Sequence, residues 1–96
     1  MRRLYVLVRT DLSKSYSAVQ AGHVLAEYML AYPDDWKNQT LVYLGVDDEI
    51  DLEIWASRLQ EEGYRISEFR EPDLEDQLTA IAVMDADRLL RRLPLL

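Results

Sequence analysis

The chain has 96 residues, 49% hydrophobic and 30% charged, with three glycines, three prolines, no cysteine and a net charge of −7. That length gives one domain over residues 1–96, and the composition is that of a soluble globular protein rather than a disordered segment. The lack of cysteine excludes disulfides, thiolate catalysis, zinc fingers and iron–sulfur clusters. No apolar stretch approaches the ~20 residues of a membrane helix, and the Met1-Arg2-Arg3 start runs into strand-like sequence rather than a signal peptide, so a cytoplasmic protein is expected.

The first element is Leu4-Tyr5-Val6-Leu7-Val8, a nearly continuous apolar run that suits a central strand covered on both faces. Arg9-Thr10-Asp11-Leu12-Ser13 ends it. From Ser15 to Tyr32 the period becomes helical, with Ala18, Ala21, Gly22, Leu25, Tyr28, Met29 and Tyr32 on one face, and Pro33 closes the helix. Thr40–Leu44 reads as a second strand, and Gly45–Glu49 as a connection. Acids near Asp51 suit the start of a second helix whose apolar stripe is Leu52, Trp55, Ala56 and Leu59. Gly63 stands where a helix-terminating glycine would. Tyr64–Arg70 alternates with period two as a third strand, Glu71–Gln77 forms an acidic loop, and Leu78–Val83 is a fourth strand. A short helix begins at Asp85, with Ala86, Leu89, Leu90 and Leu93 as its apolar positions. The order is β-α-β-α-β-β-α. This predicts an α/β fold with helices packed on a mixed four-stranded sheet, its third and fourth strands antiparallel because their link is too short for a parallel crossover.

Charge is uneven along this order: +1 over residues 1–40, −9 over 41–78 and +1 over 79–96. A nucleic-acid binder normally carries a basic surface. Contact with RNA would have to use the first third of the chain together with Arg88, Arg91 and Arg92, and no DNA partner is expected. The competing reading of the acidic stretch is a solvated face that aids solubility.

No phosphate-cradling glycine loop, nucleophile elbow or paired-histidine metal motif is present, so neither cofactor nor metal is expected. His23, the single histidine, shares a helical stripe with Tyr16, Gln20 and Glu27, opposite much of the apolar face. This stripe is either one wall of a site or a solvent-facing surface with a His23–Glu27 pair worth about 0.2–0.5 kcal/mol. Glu71-Pro72-Asp73-Leu74 lies at strand ends, where α/β sheets place their sites. Its carboxylates suit acid–base work or a hydrated magnesium ion, although Glu75 and Asp76 also fit a plain charged loop.

With these residues in place, the chain resembles the type II peptidyl-tRNA hydrolases of archaea and eukaryotes. The likeness runs through Val8-Arg9-Thr10-Asp11-Leu12, the helix segment Ala18-Val19-Gln20-Ala21-Gly22-His23, and Leu78-Thr79-Ala80-Ile81-Ala82, and covers about residues 4–83. It implies the peptidyl-tRNA hydrolase II-like fold and hydrolysis of the ester at a tRNA 3′ end. The catalytic set it implies is Gln20, His23, Asp73 and Thr79. Arg9, Asp11, Lys14, Tyr16 and Glu71 are the implied substrate-binding residues. Two departures stand out. The family's lysine position falls on Tyr16, with Lys14 nearby but out of register. The turn bearing the family's aspartate is replaced by Phe69–Leu74, where neither Glu71 nor Asp73 aligns without a gap. A hydrolase would use Asp73 or Glu71 on water, with Gln20 and Thr79 holding the ester and Lys14 meeting a phosphate. The alternative is an inactive family member serving as a protein- or nucleotide-binding module. The leucine-rich C-terminus (Leu89, Leu90, Leu93, Leu95 and Leu96) either packs on its own sheet or forms a homodimer, as is common in that family.

Overall fold

A computed structural model describes residues 2–96. Strand β1 (Arg3–Arg9) leads into helix α1 (Lys14–Ala31), β2 (Thr40–Val46), α2 (Glu49–Glu61), β3 (Ile66–Glu71), β4 (Gln77–Met84) and a one-turn helix α3 (Asp87–Leu90), with a 3-10 turn at Pro72–Leu74 between β3 and β4. The sheet order is β2-β1-β4-β3. β1 pairs parallel with β2, and β4 runs antiparallel to both β1 and β3, so the first three strands share one direction and the third and fourth are antiparallel as predicted.

Burial explains the two sequence styles. β1 is apolar throughout because both of its faces are covered. Tyr5 and Leu7 join Leu44, Leu52, Ala56, Leu59, Ile81, Val83 and Leu90 in a core under α2 and α3. Leu4, Val6 and Val8 join Ala21, Val24, Tyr28, Trp36, Ala80, Ala82 and Met84 under α1. This is the period-two division that a pleated strand imposes. β3 is an edge strand with Glu68 and Arg70 exposed, which accounts for its mixed pattern.

The helix termini follow local chemistry. Ser13 caps α1 by accepting from the Tyr16 N–H, and Asp48 caps α2 by accepting from the Asp51 N–H at 2.9 Å. The α2 start is therefore set by Asp48, one of the acids near Asp51 that the sequence offers there. Gly63 follows α2 at φ 87°, the left-handed position that glycine accepts without steric cost. Gly45 and Val46 belong to β2 rather than to a connection. A Cβ at Gly45 would stand 2.8 Å from the Thr10 methyl, so any larger residue at that strand end would have to displace Thr10. Asp85 does not begin the last helix. It occupies a left-handed turn (φ 55°), with its carboxylate accepting from the Arg3 N–H at 2.7 Å and from Arg2 Nε at 3.0 Å, and α3 starts at Asp87.

The inward face of α1 is rotated from the one read in the sequence. Ala18 and Gly22 are exposed, whereas Ser17, Gln20, Ala21, Val24 and Tyr28 are buried. A hydrophobicity pattern misses Ser17 and Gln20 because their polar atoms find partners inside: the Ser17 hydroxyl donates to the Arg9 carbonyl at 3.0 Å. Beyond α3 the chain returns to the sheet. The Gly45 N–H donates to the Pro94 carbonyl at 2.9 Å and the Leu96 N–H to the Tyr43 carbonyl at 3.0 Å, which protects part of the β2 edge. Among the described residues, no helix is long and apolar enough to cross a membrane.

Candidate functional site

β1 and β3 end, and β4 begins, at one end of the sheet, and the first turns of α1 lie over it. The ladder between β3 and β4 carries one irregularity there. Phe69 pairs with Ala80 but Arg70 pairs with Leu78, leaving Thr79 as an extra residue in β4. A bulge of this kind re-aims side chains and recurs beside active sites. Here it turns Thr79 toward α1. The freed Leu78 N–H is taken up by the Glu49 carboxylate of α2 at 2.9 Å.

Thr79 opens a short polar chain. Its hydroxyl donates to Gln20 Oε1 at 2.6 Å, with the Phe69 carbonyl a second acceptor at 3.3 Å. The Gln20 amide then donates from Nε2 to Glu71 Oε1 at 2.9 Å. Thr79 and Gln20 are both 0% exposed. Glu71 is half-buried, and its second oxygen accepts from the Asp73 N–H at 3.3 Å. The Gln20 hydrogen bond, followed by the Asp73 N–H, holds the Glu71 carboxyl below the usual glutamate range. Tyr16 stands beside it, its phenol raised by desolvation and by the charges of Glu71 and Asp73. The His23 ring stacks on Phe69 at 4.4 Å and 8°.

The sequence-predicted residues thus divide into groups. Gln20, Thr79, Glu71, Tyr16 and His23 come together. The stripe bearing Tyr16, Gln20 and His23 is not opposite the buried face, because Gln20 lies wholly inside. Gln20 and Thr79 have spent their hydrogen-bonding groups on each other and on Glu71, so they fix a carboxylate instead of reaching for an ester. Asp73 is exposed on the 3-10 turn and contributes its backbone N–H; the carboxylate joined to the buried chain is Glu71. Lys14 is exposed at the head of α1 and lines a different cleft with Thr10, Leu12, Ser17, Gly45 and Pro94–Leu96.

Arg9 and Asp11 form a brace. Arg9 Nε and Nη2 donate to the two Asp11 oxygens at 2.9 Å each, while Nη1 donates to Gln77 Oε1 at 2.8 Å and to the Leu78 carbonyl at 3.2 Å. The guanidinium lowers the Asp11 pKa and ties the end of β1 to the start of β4 beside the bulge. Phe69, Ser17 and Gln77 escaped the sequence reading. For Phe69 a signal existed, because alternation along β3 puts it on the same face as Glu71. Among the described residues no group of three or more histidines or carboxylates converges as a metal site.

No family model matches the chain, and no curated protein matches it. Its fold is similar to the solved structure of a protein of unknown function from Agrobacterium tumefaciens, with a TM-score of 0.76 at 14% identity over 99% of this chain and 97% of that one. At that identity the likeness establishes the α/β architecture alone.

Proposed function

We propose that the chain is a carboxylic ester hydrolase of the peptidyl-tRNA hydrolase type, with Glu71 as the group that acts on water. The observation that carries this reading is the buried Thr79–Gln20–Glu71 chain where β1 and β3 end and β4 begins. A fully buried amide and hydroxyl are spent on holding one accessible carboxylate ionised and in place. In the reaction, Glu71 accepts a proton from water as the water oxygen bonds to the ester carbonyl carbon. The bond from that carbon to the ribose oxygen then breaks, and the leaving oxygen takes the proton back from Glu71. Tyr16 and His23, beside the carboxylate, supply the donors for the developing oxyanion. Incubating purified protein with N-blocked aminoacyl-tRNA tests this. Turnover should fall at least 100-fold in Glu71→Gln and stay within threefold in Asp73→Asn.

A second reading has its own support. Arg9 is wholly engaged and Lys14 lines another cleft, so neither cation serves the Glu71 cluster, and a depressed pKa makes a weaker base. An inactive member of the same fold, binding a protein or nucleotide, follows if wild-type protein gives no turnover at high concentration. The expected homodimer would use Leu95 and Leu96, the exposed pair of the C-terminal leucines; sedimentation of Leu95→Ser/Leu96→Ser against wild type checks it.

A further inference from the structure

Between α2 and α3, a local cluster of cations stands against the net charge of −7. Arg2, Arg3, Arg9, Lys37, Arg65 and Arg70 all sit in ion pairs with carboxylates. Among the described residues, Lys14 and the four arginines Arg58, Arg88, Arg91 and Arg92 make none. Lys14 lies in the separate cleft beside Gly45, whereas the four arginines converge on one cleft of about 560 Å³ whose remaining lining residues are Trp55 and Leu89. No carboxylate lines it. Asp87, next to Arg88, is turned away and held by Arg3 at 2.6 Å. Arg58 lies over the Trp55 ring at 5.2 Å, and Arg91 Nε reaches only the Arg88 carbonyl of its own turn, at 3.5 Å.

Arg58 also borders a groove that holds Glu49, Glu53 and Glu61, but within the cleft the like charges of Arg88, Arg91 and Arg92 meet no carboxylate. Such a gathering costs stability, and the cost is offset when an anion is bound. Guanidinium forks match phosphate oxygens two at a time. Trp55 and Leu89 add an apolar wall of the kind on which a planar base rests. The acidic remainder of the chain repels an extended polyanion, which favours a short, highly charged ligand. We propose that the cleft between α2 and α3 binds a phosphorylated nucleoside, its phosphates on Arg88, Arg91 and Arg92 and its base against Trp55 and Leu89. The site is independent of the Glu71 cluster, which lies on the α1 face at the other end of β4.

Calorimetric titration at 50 mM salt with ATP, with a five-nucleotide single-stranded RNA and with tripolyphosphate tests the assignment and separates a free nucleotide from an RNA end. Saturable 1:1 binding of ATP or the RNA, tighter than that of tripolyphosphate, is expected. Arg88→Gln/Arg92→Gln should weaken it at least tenfold, and Trp55→Leu should abolish the preference over tripolyphosphate. Arg70→Gln, on a cation already paired elsewhere, should leave it unchanged. Thermal melts establish that each variant is folded, and Arg92→Gln alone replaces the double variant if that one is not. The proposal is overturned by absence of saturable binding to either nucleoside probe, by equal binding of tripolyphosphate, or by affinity that survives loss of the arginines.

Discussion

Gln20 is the residue on which the Glu71 site depends. Its amide is the largest contributor to the lowered Glu71 pKa and accepts the Thr79 hydroxyl behind it. Replacing Gln20 with Leu keeps the volume and removes both bonds, while Thr79 retains the Phe69 carbonyl as an acceptor. The expected result is a Glu71 pKa raised toward the ordinary value of about 4.3, followed by carboxyl NMR titration, and a stability loss of about 1 kcal/mol. Backbone strain at single residues acts in the opposite direction. Glu75 adopts φ 54° between the 3-10 turn and β4, a conformation that costs a non-glycine residue about 1 kcal/mol or more. Glu75→Gly, after allowing for the greater freedom of glycine in the unfolded chain, should raise stability by about 0.5 kcal/mol, read as a higher urea midpoint.

Among the elements, α3 is the shortest and depends most on tertiary contact, since a single turn has no stability of its own. Leu90 supplies that contact. It is 1% exposed among Leu52, Leu59, Ile81 and Val83. Leu90→Ala should cost about 2–5 kcal/mol in a denaturant titration, the usual range for a buried leucine that leaves a cavity. Because α3 also carries Arg88 into the phosphate cleft, this variant should lose nucleotide binding along with stability, whereas Arg88→Gln/Arg92→Gln should lose binding alone. The β3–β4 hairpin shows the same dependence in another form. Its sequence suggests a plain acidic loop, yet the bulge at Thr79 decides which carboxylate meets α1.

For the whole molecule, the carboxylates define the acid limit of stability. Asp11 is held below its usual pKa by Arg9, and Glu71 by Gln20. A depressed folded-state pKa contributes stability that is present above the unfolded values of about 3.9 and 4.3 and is lost as pH falls through the lower folded values. Tyr28 has the opposite sign. Burial and the hydrogen bond it donates to Asp35 raise its pKa, so its contribution is full below about pH 10 and declines above it. Urea midpoints should accordingly stay level across neutral pH and drop below about pH 4 and above about pH 10. Asp11→Asn should flatten the acid drop.

The strand and helix order, the mixed sheet and the directions of its strands were legible in the sequence, because apolar periodicity and link length constrain them locally. So was most of the Glu71 cluster, through polar residues at strand ends and helical spacing on α1. The rest required partners distant in sequence. Nothing near Gln20 reveals that its amide is buried, since its partners lie 51 and 59 residues away. The choice of Glu71 over Asp73 rests on a bulge, a pairing irregularity that no single strand displays. Arg58 looks like an ordinary surface position of α2, and Trp55 like part of its apolar stripe, until α3 folds beside them, because like charges from separate elements meet only when the tertiary structure packs those elements together.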